Sequence, residues 1–213
     1  MTEIGLAATS KALVESLCCD DDAQAILCTQ LLRLLAEGQP VSPAQLAMAL
    51  QLARAVVDQT LARLPNVEFD EQGSIIAAGL SLVPTSHQFR INGRTLYTWC
   101  AIDTLMYPLV LQQTAQVASR CPVTGRTVRL TVTPKRIEEA DPTDALVSIV
   151  VPTTADASCD VRGAFCRHVH FFAGADAGGV WRAAHPEVTL LSVGDTYAMA
   201  RLLARTRYRP AVL

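Results

Sequence analysis

The sequence contains no run of about 18 or more apolar residues, although half of its 213 residues are hydrophobic and its mean hydropathy is positive. A helix that crosses a membrane needs such a run, so we expect no transmembrane segment. Residues 1–6 also lack the basic and continuously apolar regions of a secretory signal. We therefore predict a cytoplasmic protein, long enough to bury a sizeable core.

The sequence also lacks the paired Cys-x2-Cys spacing of common zinc sites and an even number of cysteines. Without an export signal, an odd number favours reduced thiols over a disulfide framework. Thiol chemistry or metal binding is therefore the first kind of function to consider. The seven cysteines are Cys18, Cys19, Cys28, Cys100, Cys121, Cys159 and Cys166.

Residues 1–80 predict a helical domain that ends in a hairpin, an order typical of winged-helix domains. Ser42, Pro43 and Gln45 mark one helix start, because a capping Ser, a Pro in the first turn and a Gln three residues on form a capping box. Apolar spacing and turn residues place helices at 6–19, 22–37, from Ser42 onward and at 53–64, and hairpin strands at 67–70 and 75–80.

A winged helix suggests DNA binding, but the charge of this region argues against it. Residues 1–80 carry four basic and ten acidic side chains, a balance of −6, whereas residues 81–213 carry +4. The candidate recognition helix offers only Arg54 and Arg63, against Asp58. An acidic surface is a poor partner for a phosphate backbone, so we predict a helical domain packed on the second domain and no nucleic-acid partner.

Residues 81–213 predict a mainly β domain, which makes the whole chain α+β. Its helices are expected after Cys100, ending near Pro108, and at 195–205. β-branched and alternating segments place strands at 80–83, 87–91, 94–98, 114–120, 126–132, 145–151, 165–172 and about 187–192.

The segment from Trp99 to Asp103 combines a nucleophile with a group that can carry a proton. Asn92-Gly93 predicts a tight hairpin turn just before it, and a helix then begins at about Ala101. Cys100 would stand at the helix N-cap, where backbone N–H groups and the helix dipole favour a thiolate. Asp103, three residues later, would lie on the same helical face.

Residues 165–172 are predicted to form a strand that places Cys166, His168 and His170 on one face. Zinc could use this face together with Cys100 or Cys121, although the absence of paired Cys-x2-Cys spacing makes that signal weak. A site with two thiolates is the alternative, because soft thiolates select soft metals that accept few ligands.

Three motifs together resemble the alkylmercury (organomercurial) lyases of bacterial mercury resistance, and the similarity extends over most of the chain. The motifs are Leu-Tyr-Thr-Trp-Cys-Ala-Ile-Asp-Thr-Leu at 96–105, Cys-Pro-Val-Thr-Gly at 121–125 and Phe-Cys-Arg-His-Val-His-Phe-Phe at 165–172. The resemblance implies protonolysis of a carbon–mercury bond, which yields a hydrocarbon and Hg(II). By position, Cys100 and Cys166 match the catalytic cysteines and Asp103 the catalytic aspartate, and these residues would also hold the Hg(II) product.

The resemblance also implies which molecules the protein meets. Substrates would be organomercurials such as methylmercury and phenylmercury, with no organic cofactor. Small-molecule thiols would assist product release, and a mercuric reductase would accept the Hg(II). Some family members have a further cysteine directly after the second catalytic one, where this sequence has Arg167. A strand would turn Arg167 away from Cys166, so we expect little effect on bond cleavage.

The remaining cysteines, histidines and aromatics have simpler interpretations. Cys18, Cys19 and Cys28 lie on predicted helices, and Cys121 heads a turn as a buried structural thiol. Cys159 is expected in an exposed loop, and His168 and His170 are expected to pack within a strand. Tyr97 and Trp99 are expected to line either the core or a pocket.

A thiophilic-metal sensor or carrier is the alternative function. Such a protein would capture Hg(II) through a cysteine site without breaking a carbon–metal bond. Asp103 separates the two hypotheses, because capture by two thiolates needs no proton carrier and bond cleavage does.

Overall fold

The helices at the start of the chain begin where the sequence supplies capping residues. The computed structural model describes residues 3–17 and 21–208, apart from the side chains of Glu3 and Ile4. Asp21 caps the second helix by accepting a hydrogen bond from the Gln24 backbone N–H, and Ser42 and Gln45 form the predicted capping box of the third. The helices in this region are α1 (Glu3–Leu17), α2 (Asp22–Leu35), α3 (Pro43–Leu50) and α4 (Arg54–Leu61).

These helices confirm the predicted ones, with ends that differ by at most about one turn. The predicted end of the first helix, at Cys18 and Cys19, lies outside the described residues. The predicted hairpin is also confirmed, because β1 (Glu68–Phe69) pairs antiparallel with β2 (Ile75–Ala78).

The strands that follow extend this hairpin into one antiparallel sheet. They are β3 (Leu80–Ser81), β4 (His87–Ile91), β5 (Arg94–Thr98), β6 (Ala115–Arg120), β7 (Thr127–Val132) and β8 (Ile137–Asp141). In the described part of the chain the sheet order is β1-β2-β3-β5-β4-β6-β7-β8. The sheet therefore contains strands from both sides of residue 80. The predicted boundary between domains at 1–80 and 81–213 stays a prediction.

The turn between β4 and β5 has the predicted geometry. Asn92 and Gly93 have φ angles of 49° and 75°, as a two-residue hairpin turn requires. The pairing of His87 with Thr98 at the far end of the hairpin then fixes the register of β5. Because β5 ends at Thr98, the chain reaches Cys100 directly from the sheet.

The rest of the chain forms a smaller sheet and four helices within the described residues. The elements are α5 (Ala101–Leu111), β9 (Leu146–Ile149), α6 (Thr154–Ala164), β10 (Phe171–Phe172), α7 (Ala175–Ala184), β11 (Thr189–Ser192) and α8 (Val193–Arg207). The order of the smaller sheet is β10-β9-β11, and all pairs are antiparallel.

The α+β class is confirmed, but α6, α7 and β8 were not predicted. The expected loop around Cys159 is wrong, because this exposed cysteine lies on α6. Helix α6 begins at a Thr153 cap whose hydroxyl accepts a hydrogen bond from the Asp156 N–H. This capping signal is present in the sequence. The segment after it is short and polar and shows little apolar periodicity, so the helix was not predicted.

The predicted strand over 165–172 is wrong for most of its length. Cys166–His168 form a 3₁₀ turn, and only Phe171–Phe172 pair as β10. Backbone hydrogen bonds three residues apart, from His168 N–H to the Phe165 carbonyl and from Val169 N–H to the Cys166 carbonyl, replace sheet pairing. Cys166, His168 and His170 therefore do not share a strand face, and the predicted zinc-binding face is not formed.

Helix α5 lies at the centre of the core, with every residue from Ala101 to Pro108 buried. It packs against α8 and contacts β4, β5 and β6. The helix continues past Pro108 to Leu111, which corrects the predicted end, because packing of its apolar side chains offsets the one backbone donor that proline lacks. Among the described residues no helix is both long and apolar enough to span a membrane.

Candidate active site

The first part of the site is the junction between β5 and α5. Cys100 is the N-cap residue of α5, with an extended backbone, and Asp103 occupies the N3 position. One carboxylate oxygen of Asp103 accepts hydrogen bonds from the Cys100 backbone N–H at 3.2 Å and from its Sγ at 3.3 Å. Two local interactions therefore hold the thiol and the carboxyl group together, as the spacing predicted.

The second part of the site is the 3₁₀ turn that carries Cys166. The Ala101 N–H at the start of α5 donates to the Val169 carbonyl at 3.1 Å, which brings this turn against the helix. Ser148 of β9 donates from its hydroxyl to the His168 carbonyl at 2.6 Å and accepts from the His170 N–H at 3.0 Å. Residues distant in sequence thus fix the segment around Cys166.

These contacts bring the three predicted site residues together. The Sγ atoms of Cys100 and Cys166 and a carboxylate oxygen of Asp103 all lie within 4.8 Å of one another. Each side chain is buried: Cys100 is 0% exposed, Cys166 5% and Asp103 7%. Two thiols and a carboxyl group in this arrangement can bind a soft metal and move a proton beside it.

Burial changes the protonation expected at Cys100. Loss of hydration raises the pKa of this thiol well above its usual value, and the neighbouring Cys166 thiol and Asp103 carboxyl raise it further. Burial therefore opposes the thiolate that the helix N-terminus was predicted to favour. Because this pKa is raised, Cys100 holds its proton at neutral pH.

Asp103 is shifted in the direction that suits a proton carrier. Burial raises its pKa to about 6, while the Cys100 thiol, the Arg207 charge and the Tyr107 hydroxyl partly oppose this shift. A carboxyl group that titrates near neutrality can both accept and donate a proton under physiological conditions.

An apolar cavity opens onto two of the three groups. Asp103 and Cys166 line it, whereas Cys100 does not and has no exposed surface. Trp99 also lines the cavity, and the Arg162 guanidinium lies 5.2 Å from the centre of its ring. Of the two aromatics for which core and pocket were both predicted, Trp99 thus belongs to the pocket.

Several residues of this cavity were not predicted. Tyr107 is four residues from Asp103 on α5, so helical spacing could have indicated it. The others come from distant segments and give no local signal. They include Cys28 and Leu31 of α2, Gly79, Val161 of α6, and Arg207 and Tyr208 at the end of α8.

Gly79 shows why one of these positions requires glycine. It has a φ of +87°, which L side chains rarely adopt, and a Cβ there would overlap the Tyr107 hydroxyl. The backbone between β2 and β3 can therefore approach α5 closely enough to form part of the cavity wall.

Among the described residues, the other cysteines and the histidines do not belong to the cluster of Cys100, Asp103 and Cys166. Cys121 is buried beside Phe172 and Ala177, as predicted for a structural thiol. His170 Nε2 lies 2.8 Å from the Arg167 carbonyl oxygen, and His87 is buried 2.7 Å from the Ser119 hydroxyl.

Comparisons with known proteins agree on one family. Residues 80–205 match the family model described as alkylmercury lyase, and residues 9–79 match the helix-turn-helix domain of alkylmercury lyase. An alkylmercury lyase from Pseudomonas putida is 43% identical over 197 residues, which cover 92% of each chain. One from Streptomyces lividans is 47% identical over 173 residues, covering 81% of this chain and 79% of the relative.

Solved structures give the same fold. A crystal structure of the mercury-bound form of MerB2 matches with a TM-score of 0.75 at 24% identity, and the match covers 96% of this chain and 99% of the other. At this identity the match bears on the fold alone. It agrees with the α+β architecture and with the helical start of the chain.

Proposed function

This chain belongs to the alkylmercury lyase family of enzymes, and we propose that it cleaves the carbon–mercury bond of organomercurials by protonolysis, releasing a hydrocarbon and Hg(II). The observation that carries this proposal is the convergence of Cys100, Asp103 and Cys166, of which Asp103 and Cys166 line an apolar cavity. A mercury atom could meet two soft ligands there, with a carboxyl group beside it as the proton carrier.

Cys166 is the first ligand in the mechanism that we propose. Cys166 lines the cavity, whereas Cys100 does not and its Sγ is hydrogen-bonded to Asp103. The organomercury cation R–Hg⁺ binds the Cys166 sulfur, and the proton of this thiol leaves to solvent or to the departing ligand of mercury. Mercury bound to sulfur strongly favours the thiolate, so this proton is lost as the bond between sulfur and mercury forms.

Cys100 is then the second ligand and the source of the proton. As its sulfur bonds to mercury, its proton passes along the existing hydrogen bond to Asp103. Protonated Asp103 donates this proton to the carbon, the carbon–mercury bond breaks, and the hydrocarbon R–H departs. Hg(II) remains bound to two thiolates, and one proton has been released overall.

The high pKa of Cys100 fits this sequence of steps. A thiol that keeps its proton until mercury arrives delivers that proton inside the site, where Asp103 with a pKa of about 6 can receive it. A preformed thiolate would bind mercury equally well but would bring no proton for the carbon.

The apolar wall of the cavity accounts for the organic part of the substrate. Side chains such as Leu31, Leu64 and Met106 offer surface for a methyl or phenyl group, and burial of that group displaces water from the site. Leu31 and Leu64 belong to the helical first part of the chain, which supports a role for this part as a cover over the site.

Product release completes the proposed function. A buried pair of thiolates holds Hg(II) tightly, so we infer that small-molecule thiols or a mercuric reductase remove it by thiol exchange. No organic cofactor takes part in these steps. The acidic balance of residues 1–80 continues to favour a protein without a nucleic-acid partner.

Hydrocarbon release tests the proposal directly. Purified protein would be incubated with phenylmercury or methylmercury and excess small-molecule thiol, and benzene or methane measured in the gas phase. We expect repeated turnover by the wild type and none by Cys166→Ser. Cys159→Ser is the matched control, because this exposed cysteine lies on α6 and does not line the cavity. Mercury binding without hydrocarbon from the wild type would instead indicate a sensor or carrier.

A further inference from the structure

A second group of metal-binding side chains lies next to the site. His168, His185 and Glu187 each offer one ligand atom, and these atoms lie within 4.8 Å of one another. We propose that they form a binding site for a divalent transition-metal ion of the zinc class, separate from the two thiols that bind mercury. Imidazole and carboxylate are ligands that such ions prefer, whereas Hg(II) prefers thiolates.

The distances are those of a site that needs little adjustment. A tetrahedral zinc ion lies about 2.1 Å from its ligands, which places the ligand atoms about 3.4 Å apart. Glu187 Oε1 lies 3.5 Å from His185 Nδ1 and 4.0 Å from His168 Nδ1. The ligand atoms of His168 and His185 lie within 4.8 Å of each other. Side-chain rotations that move the ligand atoms by about an ångström would bring all three to bonding distance.

The backbone holds two of the ligands in this arrangement. The Val188 N–H donates to the His185 carbonyl at 3.1 Å and closes a turn with Pro186 at its second position. The His185 ring stacks on Trp181, with centroids 4.2 Å apart and planes at 25°. The turn therefore sets the spacing of His185 and Glu187, and the tryptophan sets the plane of one imidazole.

His168 is held in place from the other side. It ends the 3₁₀ turn that carries Cys166, and its carbonyl accepts the Ser148 hydroxyl. A metal ion bound to all three ligands would connect this turn to the segment between α7 and β11. The side chains are 29%, 35% and 47% exposed for His168, His185 and Glu187, so an ion can enter from solvent.

Cobalt titration tests the site, because Co²⁺ accepts the same ligands as Zn²⁺ and is visible by absorption. Tag-free full-length protein would be titrated with Co²⁺, alongside His185→Ala and Glu187→Gln. We expect a weak visible band without thiolate-to-cobalt charge transfer, and an affinity at least about tenfold lower in either variant. Glu71→Gln, which removes an exposed carboxylate elsewhere, should bind like the wild type.

Two results would overturn the proposal. One is equal cobalt affinity in the wild type and in His185→Ala, and the other is binding that appears only in a thiolate charge-transfer band, which would place the ion at Cys100 and Cys166. Thermal unfolding without metal checks that the variants fold. Added Zn²⁺ should raise the unfolding midpoint of the wild type more than that of Glu187→Gln, because an ion that binds the folded state stabilises it.

Discussion

The two segments that supply the thiols are built in different ways. The Cys100 segment is local: a hairpin turn, a helix N-cap and a carboxylate three residues away fix its geometry. The Cys166 segment depends on distant partners, namely Ser148 of β9 and the Ala101 N–H of α5. Local contacts thus position Cys100, whereas contacts with residues distant in sequence position Cys166.

This difference matches the division of labour that we propose. The local segment keeps a proton between Cys100 and Asp103 in a fully buried position, where small movements would break the transfer path. The distant segment presents Cys166 to the cavity, where substrate arrives and product leaves. Access to Cys166 would serve the binding of substrate, and a fixed geometry at Cys100 would serve the proton transfer that follows.

The largest expected effect comes from removing either thiol. Cys100→Ser and Cys166→Ser should each lower hydrocarbon release roughly a thousandfold or more, because neither segment can complete the two-thiolate site alone. The variants should differ in capture. Cys100→Ser should still form a phenylmercury adduct at Cys166 within a short incubation, whereas Cys166→Ser should leave the buried Cys100 largely unmodified.

Digestion followed by mass spectrometry would locate the adduct in each variant, with Cys159→Ser as the control for surface labelling. Equally rapid adduct formation at Cys100 in the Cys166→Ser protein would reverse the proposed order of attack.

Asp103→Asn should separate turnover from mercury binding. Asparagine keeps an oxygen that can accept from Cys100 but cannot carry the proton, so hydrocarbon release should fall by about 10² to 10⁴ while both thiols retain Hg(II). The expected readouts are gas-phase hydrocarbon and protein-bound mercury after gel filtration. Turnover close to that of the wild type would remove Asp103 from the mechanism.

The same substitution should stabilise the protein at neutral pH. Between about pH 4 and 6 the folded state holds the Asp103 proton and the unfolded chain releases it, so stability falls as pH rises through this window. The penalty is at most about 3 kcal/mol and is fully present above pH 6. Asp103→Asn should therefore gain free energy of unfolding in urea at pH 7 and none at pH 4, and an equal gain at both pH values would contradict the raised pKa.

The sequence predicted the Cys100 segment better than the Cys166 segment, because local contacts fix the first and distant contacts fix the second. The Asn92-Gly93 turn, the N-cap at Cys100 and the spacing to Asp103 are signals within a few residues, and the structure agrees with all of them. The protonation of Cys100 could not be predicted this way, because it depends on burial by surrounding elements.

Around Cys166 the alternation of apolar and polar residues predicted a strand, and the 3₁₀ turn there is set by hydrogen bonds that the local pattern does not contain. The role of Cys166 was nevertheless indicated by resemblance to a family rather than by the predicted strand. Likewise, the cavity wall draws on α2, α6 and α8, and sequence spacing carries no information about which of their side chains meet.

Ser148→Ala should disturb the Cys166 segment selectively. It removes the donor to the His168 carbonyl and the acceptor for the His170 N–H, at a cost of about 2 kcal/mol in free energy of unfolding. Displacement of Cys166 should also lower turnover by roughly ten- to a hundredfold.

Thr98→Val is the matched change beside the other thiol, because it removes one hydrogen bond from the Thr98 hydroxyl to the Cys100 carbonyl. It should cost about 1 kcal/mol and leave turnover near that of the wild type, since α5 and Asp103 still hold Cys100. Denaturant unfolding and hydrocarbon release would be measured for both variants. Equal losses of turnover would mean that the two segments do not differ in how they are positioned.

The smallest expected effect is at the hairpin turn that leads to Cys100. Gly93 has a φ of +75°, and a Cβ there would meet no atom within 4 Å, so Gly93→Ala should cost about 1 kcal/mol through backbone strain alone. Gly179→Ala on α7 also has open space, but at an ordinary helical φ, and should instead stabilise by about 0.5–1 kcal/mol. Thermal unfolding would compare them, with hydrocarbon release unchanged in both. A loss of turnover in Gly93→Ala would show that the hairpin turn determines the geometry of the active site as well as the path of the chain toward Cys100.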